Sequence, residues 1–425
     1  MPDSLAALLY TEQRRILEAI RTTAEREAVP AYLVGGAVRD WLLNRRIDDL
    51  DFAVEGDAIA FAHTLTREQG GAVQPYERFR TATWFVWGQA VDIVTARSET
   101  YERPAALPRV APATIRDDLL RRDFTVDALA LALRDDRLID VCDGQSDLHR
   151  RLIRALHPRS FVDDPTRIFR AARYAARLNF AVEEQTRAWI KRGLPYVRAL
   201  SGERVKYDVE LIFLEQHPPR ALECLRRWGL FRALSIPIPE DTALEDRFTR
   251  IAHALSDDEW DIGALGLPRE DLRRAAGWAA LTYNLGQMSI SRWIDWIPFT
   301  ADVRDALVAL GALSSLSPAG FHAPPSRQSA LLNPFSGLTL WLGWLFERDP
   351  LKRQAMRAEW HVWRRVQTVT TGDTLKARGL PPGPRYRELL ARLRDAWLDG
   401  KATTAADEER LLNEFLAEDQ EPDTP

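Results

Sequence analysis

The stretch LVGGAVRDWLLNRRIDDLDFAVEG, residues 33–56, restricts the local fold more than any other part of the chain. An apolar run ends in a Gly-Gly pair, a short helical pattern follows, and a second apolar run begins at an Asp-x-Asp triplet. Glycine lets backbone N–H groups approach a phosphate closely, and the amino end of a helix favours negative charge. Strand, glycine turn and helix together therefore predict a place where a phosphate can bind.

The Asp-x-Asp triplet supplies two carboxylates for this region. Asp49 and Asp51 lie two residues apart in an apolar segment, so on a strand both side chains project from the same face. Such close carboxylates repel each other unless a cation lies between them. Oxygen ligands with room for water and phosphate favour magnesium, and two ions can activate a hydroxyl and neutralise a leaving pyrophosphate. The alternative, a solvated turn over residues 48–51, is the better interpretation of an isolated Asp-x-Asp pattern.

Spacing distinguishes the two interpretations, because a Gly-Gly pair, an Arg-Asp pair and the triplet occur in a fixed order. This order resembles the signature of the DNA polymerase beta-like nucleotidyltransferases, specifically the tRNA nucleotidyltransferase and poly(A) polymerase family. The matching residues are Gly35, Gly36, Arg39, Asp40, Asp49 and Asp51. The resemblance implies an enzyme that adds nucleotides to RNA without a template, with catalytic Asp49 and Asp51 holding Mg²⁺, two ions being expected.

Two later segments extend the resemblance. RRDFTVDALAL, residues 121–131, resembles the family block whose Arg-Arg-Asp set contacts the nucleotide phosphates and sugar. The implied nucleotide-binding residues are Arg121, Arg122, Asp123 and Asp127, the last standing where the family usually has Asn. The segment 91–110 resembles the third core strand and the loop after it. Its Asp92 is either a third carboxylate of the metal site or an ordinary acid at a strand edge.

The segment DDPTRIFRAARYAARLNF, residues 163–180, resembles the family's base-reading Glu-Asp-x-x-Arg helix. Asp164 and Arg167 are three apart, so on a helix they share one face. An acceptor beside a donor fits cytosine and adenine, whereas guanine and uracil would leave buried groups unpaired. Alternatively, Asp164 before Pro165 is a helix N-cap. Arg170 is a further expected nucleotide contact.

Positive charge is concentrated in one part of an acidic chain. The net charge is −4, yet residues 150–204 contain thirteen Arg or Lys against five Asp or Glu, about +8, which leaves about −12 elsewhere. A local positive field suits a phosphate backbone, and a solvated helix face is the alternative. Weaker RNA-binding candidates are Arg173 and Arg177, which follow helical spacing, and Arg385 and Arg387 behind the turn PPGP.

Strand patterns are confined to residues 30–134, and helical periodicity follows from about residue 148 onward. The predicted class is α+β, with a polymerase-beta-like head containing a small mixed sheet, then all-α domains. The predicted domains are a catalytic head at 1–135, a base-reading neck at 136–200, a body at 201–315 and a tRNA-binding tail at 316–425. We find no role for the Trp-rich helices of 235–365.

The composition of the chain restricts the cellular compartment in which we expect the protein. The N-terminal segment has charges throughout and reads as an amphipathic helix, and the apolar run at 338–346 falls far short of the ~20 residues that span a membrane. Two cysteines, Cys142 and Cys224, support neither a disulfide framework nor a cysteine-rich zinc site. We expect a cytoplasmic protein without a membrane partner, and the sequence leaves its oligomeric state open.

The predicted function is addition of the 3′-terminal CCA to tRNA from CTP and ATP, with release of pyrophosphate. The expected partners are the tRNA 3′ end and acceptor arm, ATP and CTP. Alternatives are an enzyme that adds only the terminal A, one that adds only CC, and a poly(A) polymerase. The loop at 97–118 has full length, which disfavours CC addition alone. An RNA-binding protein with an inactive head is disfavoured because both Asp49 and Asp51 are present.

Overall fold

A computed structural model describes residues 4–236, 243–257, 259–283 and 294–418. The chain divides into two compact units, Met1–Ile236 and Pro237–Pro425. Among the described residues, every strand lies in the first unit, and the described part of the second unit contains helices only. The predicted α+β class is therefore confirmed. The division into four domains stays a prediction.

The strands are β1 Ala31–Val34, β2 Asp51–Val54, β3 Ala72–Tyr76, β4 Thr81–Val86, β5 Gln89–Thr95, β6 Arg97–Thr100, β7 Arg109–Pro112, β8 Leu129–Ala132, β9 Leu138–Asp140, β10 Leu152–Ile153 and β11 Ala181–Val182. The α-helices of the first unit are Leu5–Leu8, Thr11–Arg26, Gly36–Leu42, Ala58–Gln69, Ile115–Leu120, Gly144–Arg150, Ser160–Asp163, Thr166–Leu178, Glu184–Gly193, Gly202–Phe213, Pro218–Trp228 and Leu230–Leu234. Those of the second unit are Ala243–Ser256, Arg269–Thr282, Ala301–Ser314, Pro325–Leu332, Gly337–Phe346, Pro350–His361, Gly372–Ala377, Pro384–Leu398 and Ala405–Glu418.

Seven of the described strands form one mixed sheet in the order β3-β4-β5-β2-β1-β8-β9. β2 and β5 run parallel, whereas the other neighbouring strands pair antiparallel. β8 is buried along its whole length, as its continuous apolar sequence requires. The helix Ala58–Gln69 packs against β3, β4 and β5, and Ile115–Leu120 shares a buried apolar cluster with residues of β1, β2 and β8.

β3 is a strand that the sequence pattern did not predict. Its sequence AVQPY contains proline and glutamine, and its residues alternate between exposed and half-buried positions. Proline is tolerated here because β3 is an edge strand, where one side of the backbone needs no partner.

The predicted N-terminal helix is interrupted in the structure. Leu9 and Tyr10 separate a short first helix from the longer helix Thr11–Arg26. The Gln13 side chain accepts the Tyr10 N–H at 3.0 Å and caps the start of the longer helix.

In the helical part of the first unit, the helix Thr166–Leu178 packs on Gly202–Phe213 and Pro218–Trp228. One departure from the expected all-α neck is the two-residue parallel pair of β10 and β11. Ahead of the long helix, Ser160–Asp163 packs on Glu184–Gly193. These contacts hold the chain on both sides of Asp164.

In the second unit, the apolar helix Gly337–Phe346 is buried along every residue from Leu338 to Phe346. A helix that is apolar on all sides belongs inside a protein core when it is this short. Within the described ranges, no helix combines the length and the apolar character needed to cross a membrane. Around this core helix, Lys352 forms an ion pair with Glu347 at 2.9 Å, and Glu359 accepts from the Ser329 hydroxyl at 2.7 Å.

In the first unit, Gly193 allows a test of the packing between the helices Ser160–Asp163 and Glu184–Gly193. A Cβ atom at Gly193 would lie 2.5 Å from the Cβ and 2.7 Å from the carbonyl oxygen of buried Phe161. We expect Gly193→Ala to lower the free energy of unfolding by about 1–3 kcal/mol through overpacking. Gly311→Ala is the control, because no atom lies within 4 Å of its Cβ position and alanine favours a helix interior by about 0.5–1 kcal/mol. Denaturant unfolding followed by circular dichroism measures both, and equal stability of Gly193→Ala and wild type would contradict the packing.

Candidate active site

The Gly-Gly turn brings the end of β1 against Arg122. Gly35 has φ +67°, a conformation that favours glycine, and its N–H donates to the Leu129 carbonyl at 3.1 Å. A Cβ atom there would lie 2.7 Å from Nη1 of Arg122. Glycine at position 35 therefore allows a guanidinium to approach the turn, and Gly36 begins the helix that follows.

Arg39 explains the Arg-Asp pair of the signature. Its guanidinium donates to Asp40 through Nε at 2.9 Å and Nη2 at 2.8 Å, and to Asp127 through Nη1 at 2.6 Å. The Arg39 side chain is 5% exposed. Although burial opposes its charged form, Asp127 and Asp40 raise the pKa of Arg39. The structure thus places Arg39, Asp40 and Asp127 in one ion-pair network that connects the helix after β1 to the segment before β8.

The carboxylates of Asp51 and Asp92 stand side by side, because the two residues are register partners on the parallel strands β2 and β5. Asp92 also accepts from the Thr83 hydroxyl at 2.6 Å. Surrounding protein atoms remove part of the hydration of Asp51, and together with the charge of Asp92 they raise the pKa of Asp51 to about 6. Arg122 opposes this shift, and Asp49 adds to it.

The strand β2 begins at Asp51, so Asp49 lies just before the strand. Leu50 is buried between the two exposed aspartates, an alternation that agrees with both carboxylates lying on one side of the chain, although regular pairing with β5 begins only at Asp51. The shared strand face stays a prediction. Asp49 nevertheless remains close enough for its charge to act on Asp51.

Arg121 and Arg122 are both oriented by Asp118, a fully buried carboxylate one turn earlier. Arg121 donates to Asp118 at 2.7 Å and to Glu99 at 2.9 Å, and Arg122 donates to Asp118 at 3.1 Å. Although burial works in the opposite direction, these two arginines lower the pKa of Asp118. Two neighbouring cations are thereby fixed by one carboxylate, with Arg122 directed to the Gly-Gly turn.

Asp123 completes the Arg-Arg-Asp set by contacting the long helix. It forms ion pairs with Nε of Arg167, at 2.9 Å, and with Nε of Arg170. Arg167 is 3% exposed and also donates to the Ser160 hydroxyl at 2.8 Å and to the Arg121 carbonyl at 2.9 Å. Although burial raises it, the charges of Arg170 and Arg167 lower the pKa of Asp123 overall.

The side chains of Asp164 and Arg167 bond to different groups in this structure, although the Asp164 N–H and the Arg167 guanidinium both donate to Ser160. The helix begins at Thr166, so Asp164 precedes it, and the expectation that both lie on one helix face was wrong because Pro165 separates Asp164 from the helix. Oδ1 of Asp164 accepts from the Thr166 N–H at 3.1 Å and from the Arg204 guanidinium at 2.6 Å. Arg204 also donates to the Ala105 carbonyl at 2.9 Å. A cap-like contact is therefore present, and Arg204 is a site residue that the sequence analysis missed.

Four arginines, three of them on the helix Thr166–Leu178, surround the aromatic ring of Tyr174. Arg39, Arg170, Arg173 and Arg177 lie 5.4–6.0 Å from the ring centre of Tyr174, which itself packs edge-on against Phe124 at 5.7 Å. Both RNA-binding candidates on this helix contact an acid, because Glu215 pairs with Arg173 at 3.6 Å and with Arg177. In the second unit, Arg385 and Arg387 are exposed in the first turn of the helix Pro384–Leu398.

A cavity of about 470 Å³ lies between the β6–β7 hairpin and the chain that precedes the long helix. Its lining includes Glu99, Tyr101, Arg121, His157 and Arg167. Two groups missed by the sequence analysis, Glu99 and Asp118, orient Arg121 at this cavity. The only sequence signal for Asp118 is its position three and four residues before Arg121 and Arg122, the spacing of ion pairs on a helix.

The chemistry of Asp49, Asp51 and Asp92 fits a divalent cation. Burial is the main cause of the raised pKa of Asp51, and the charges of Asp92 and Asp49 add to it while Arg122 opposes it. Carboxylate oxygens with access to water are ligands that Mg²⁺ accepts. Within the described part of the chain, no group of three or more His, Cys, Asp or Glu side chains is arranged so that it could hold a metal ion by itself.

Comparison with known proteins identifies relatives over most of the chain. The family model for the poly A polymerase head domain matches residues 31–154, and the model for a probable RNA and SrmB-binding site of polymerase A matches residues 179–240. The CCA-adding enzyme of Limosilactobacillus reuteri is 33% identical over 94% of this chain and 94% of that protein. The A-adding tRNA nucleotidyltransferase of Geobacter sulfurreducens is 33% identical over 90% of this chain and 45% of that protein.

Solved structures show the same fold. The Thermotoga maritima CCA-adding enzyme complexed with tRNA matches with a TM-score of 0.72 and 25% identity, over 98% of both chains. This likeness confirms the predicted polymerase head followed by helical domains. This chain spans only 25–56% of the length of the three A-adding relatives that it matches.

The crowding of carboxylates around Asp51 has a measurable effect on stability. Because its pKa is raised from 3.8 to about 6, ionising Asp51 destabilises the folded protein as pH rises through this range. We expect Asp51→Asn to raise the melting temperature of metal-free protein at pH 7.5 by about 2 °C, since solvent screening keeps the effect below about 1 kcal/mol. The difference should vanish below pH 4.

Magnesium provides the second half of this test. Added Mg²⁺ should raise the melting temperature of wild type and of the control Asp48→Asn more than that of Asp51→Asn. Differential scanning fluorimetry with and without EDTA measures all three proteins. Identical melting of wild type and Asp51→Asn under both conditions would contradict the carboxylate site.

Proposed function

We infer the function from the family to which this chain belongs, the tRNA nucleotidyltransferases and poly(A) polymerases. We propose that the chain adds the terminal CCA to the 3′ end of tRNA from CTP and ATP. The observation that carries the proposal is the grouping of Asp49, Asp51 and Asp92 beside a glycine turn to which Arg122 is fixed.

The reaction that fits this grouping is nucleotidyl transfer. The RNA 3′-hydroxyl attacks the nucleotide α-phosphate in line, and pyrophosphate leaves. Magnesium held by Asp49 and Asp51 would supply Lewis-acid activation of the hydroxyl and charge neutralisation at the phosphates. Catalysis of this kind depends on positioning and charge, so it needs no covalent intermediate.

The arginines supply the remaining charge. Arg122 is fixed by Asp118 next to the Gly35–Gly36 turn, where the triphosphate of a bound nucleotide would lie. Arg121 is fixed by Asp118 and Glu99 at the neighbouring cavity. Guanidinium groups held in place before the substrate arrives stabilise developing negative charge without reorganisation cost. We therefore assign these two residues to binding of the nucleotide phosphates.

We further propose that Asp164 reads the base, because its Oδ2 makes no hydrogen bond to any described residue. Arg204, which pairs with Oδ1, orients the carboxylate. A carboxylate oxygen accepts the amino group of cytosine or adenine, and it has no donor for the carbonyl of uracil or guanine. Arg167 would have to leave Ser160 or the Arg121 carbonyl to donate to the base.

A specific observation favours a second candidate, addition of the terminal A alone. Three relatives with 33–41% identity are A-adding tRNA nucleotidyltransferases. The match to the CCA-adding relative covers 94% of both chains, whereas the matches to the three A-adding relatives cover 45%, 25% and 56% of those proteins. We therefore keep CCA addition as the first candidate. The proposed RNA partner is tRNA, which a structural neighbour binds.

Replacement of the triplet tests the catalytic assignment. We expect Asp49→Asn and Asp51→Asn each to reduce nucleotide incorporation into tRNA at least ~1,000-fold, because both lose a ligand charge. Binding of tRNA should change less than ~3-fold. The matched control Asp48→Asn removes a neighbouring exposed carboxylate and should retain activity. Near-normal incorporation by Asp51→Asn would show that the reaction uses another site.

Two substitutions separate base reading from helix capping at Asp164. Serine can still accept the Thr166 N–H, whereas alanine cannot. If Asp164 reads the base, Asp164→Ser and Asp164→Ala both lose about 10-fold or more in discrimination against UTP and GTP. The measurement is kcat/KM for each nucleotide. Normal discrimination by Asp164→Ser, with loss only in Asp164→Ala, would instead identify a capping role.

A further inference from the structure

The second unit contains a cavity of about 670 Å³ to which the proposed function assigns no role. The helix Pro350–His361 forms much of its wall, and Glu259 and Trp344 belong to the same lining. Clefts of about 300–1,000 Å³ are typical of small-ligand sites. The cavity lies within the Trp-rich region for which the sequence indicated no function.

One face of the helix Pro350–His361 supplies the polar lining. Arg353, Arg357 and His361 follow each other at intervals of four residues, so they project from the same side of the helix. The buried residues of this helix, among them Lys352, Met356 and Glu359, face the interior of the unit. The helix therefore separates a structural face from a cationic face that borders the cavity.

Arg353 is held in place by an aromatic ring. Its guanidinium lies 4.6 Å from the ring centre of Trp344, a residue that is 4% exposed. Its Nε atom is buried and has no hydrogen-bond partner, and no carboxylate forms an ion pair with Arg353 among the described residues. Burial lowers the pKa of Arg353, and the nearby charge of Arg250 adds to that effect. The Nε donor of Arg353 thus lacks an acceptor, while Glu259 and Glu347 act on the guanidinium only through their charge.

The other cavity groups support the same interpretation. Arg357 is paired with Glu259 at 2.8 Å, so this pair adds no net charge. Nε2 of His361 is buried without a hydrogen-bond partner in the described part of the chain. Trp260 packs against two of the lining residues, with its ring centre 5.2 Å from that of Trp344 and 5.9 Å from that of His361. The buried atoms of Arg353 and His361 that lack a hydrogen-bond partner are both nitrogens.

We propose that this cavity binds a phosphate group through Arg353, either a backbone phosphate of the bound RNA or a free phosphate compound. A planar guanidinium donates two parallel hydrogen bonds to phosphate oxygens, and stacking on Trp344 fixes the plane before the ligand arrives. A buried donor without an acceptor is unfavourable, and a phosphate oxygen would satisfy it. The RNA source rests on the function proposed above.

The test compares Arg353→Met with the control Arg304→Met in the full chain. Methionine keeps an apolar stem over Trp344 while removing the charge, and the Arg304 side chain is 53% exposed and does not line the cavity. Binding of a tRNA transcript is measured over a range of KCl concentrations. We expect Arg353→Met to weaken binding about 3- to 30-fold and to reduce the slope of log K against log salt by about 0.7–0.9, one phosphate contact. Arg304→Met should match wild type.

Calorimetric titration with inorganic phosphate distinguishes the two sources. Loss of phosphate binding in Arg353→Met with unchanged tRNA binding would support a free phosphate compound as the ligand. Equal binding of tRNA and of phosphate by Arg353→Met and Arg304→Met would overturn the proposal. If Arg353→Met melts below the control, Arg353→Lys replaces it, because lysine keeps the charge and loses only the two-pronged geometry. Failure of the wild type to incorporate any nucleotide would refute the proposed function, whereas these binding results do not depend on incorporation.

Discussion

The largely buried carboxylate of Asp123 binds two arginines of one helix, and the geometry of the candidate active site depends on this contact. A carboxylate removed from water is stable only if cations compensate it. Arg167 and Arg170 do so from successive turns of Thr166–Leu178, which fixes the helix against the segment that carries Arg121 and Arg122. This contact connects the groups that we propose to bind phosphate with the segment that we propose to read the base.

The balance of acidic and basic side chains around Asp118 and Asp123 differs from the balance around Asp51. Around Asp118 and Asp123, each acid is matched by two arginines, so the pKa of each acid is lowered. Around Asp51, acids outnumber the cations, and the pKa of the carboxyl is raised to about 6. An excess of acid beside an excess of arginine is what binding of a metal–triphosphate complex requires, since the ligand itself carries both charges.

Sequence periodicity and motif spacing predicted the α+β class and the order of strand, glycine turn and helix that is formed by Ala31–Val34 and Gly36–Leu42. These predictions succeeded where the determining interactions are local, as in the buried run of β8 and the φ of Gly35. Edge strand β3 escaped prediction because an edge tolerates Pro75 and alternating exposure. The irregular start of β2 at Asp51 depends on pairing with β5, about forty residues further along the chain.

The partners of site residues were harder to predict than the residues themselves. Arg204 lies forty residues from Asp164, and no local pattern relates them. Asp127 stands where the family usually has Asn, and only the structure shows that it pairs with buried Arg39. Long-range ion pairs leave no periodic signal in a sequence, so these contacts had to come from the three-dimensional arrangement.

The most direct test of CCA addition uses the purified protein, Mg²⁺ and three tRNA transcripts that end before CCA, after C, or after CC. Each is incubated with CTP, ATP or both, and the products are sequenced. If the chain adds the whole CCA, we expect the shortest transcript to be completed when both nucleotides are present. Addition of A to the CC-ended transcript alone would contradict CCA addition and identify an enzyme that depends on a partner for the cytidines.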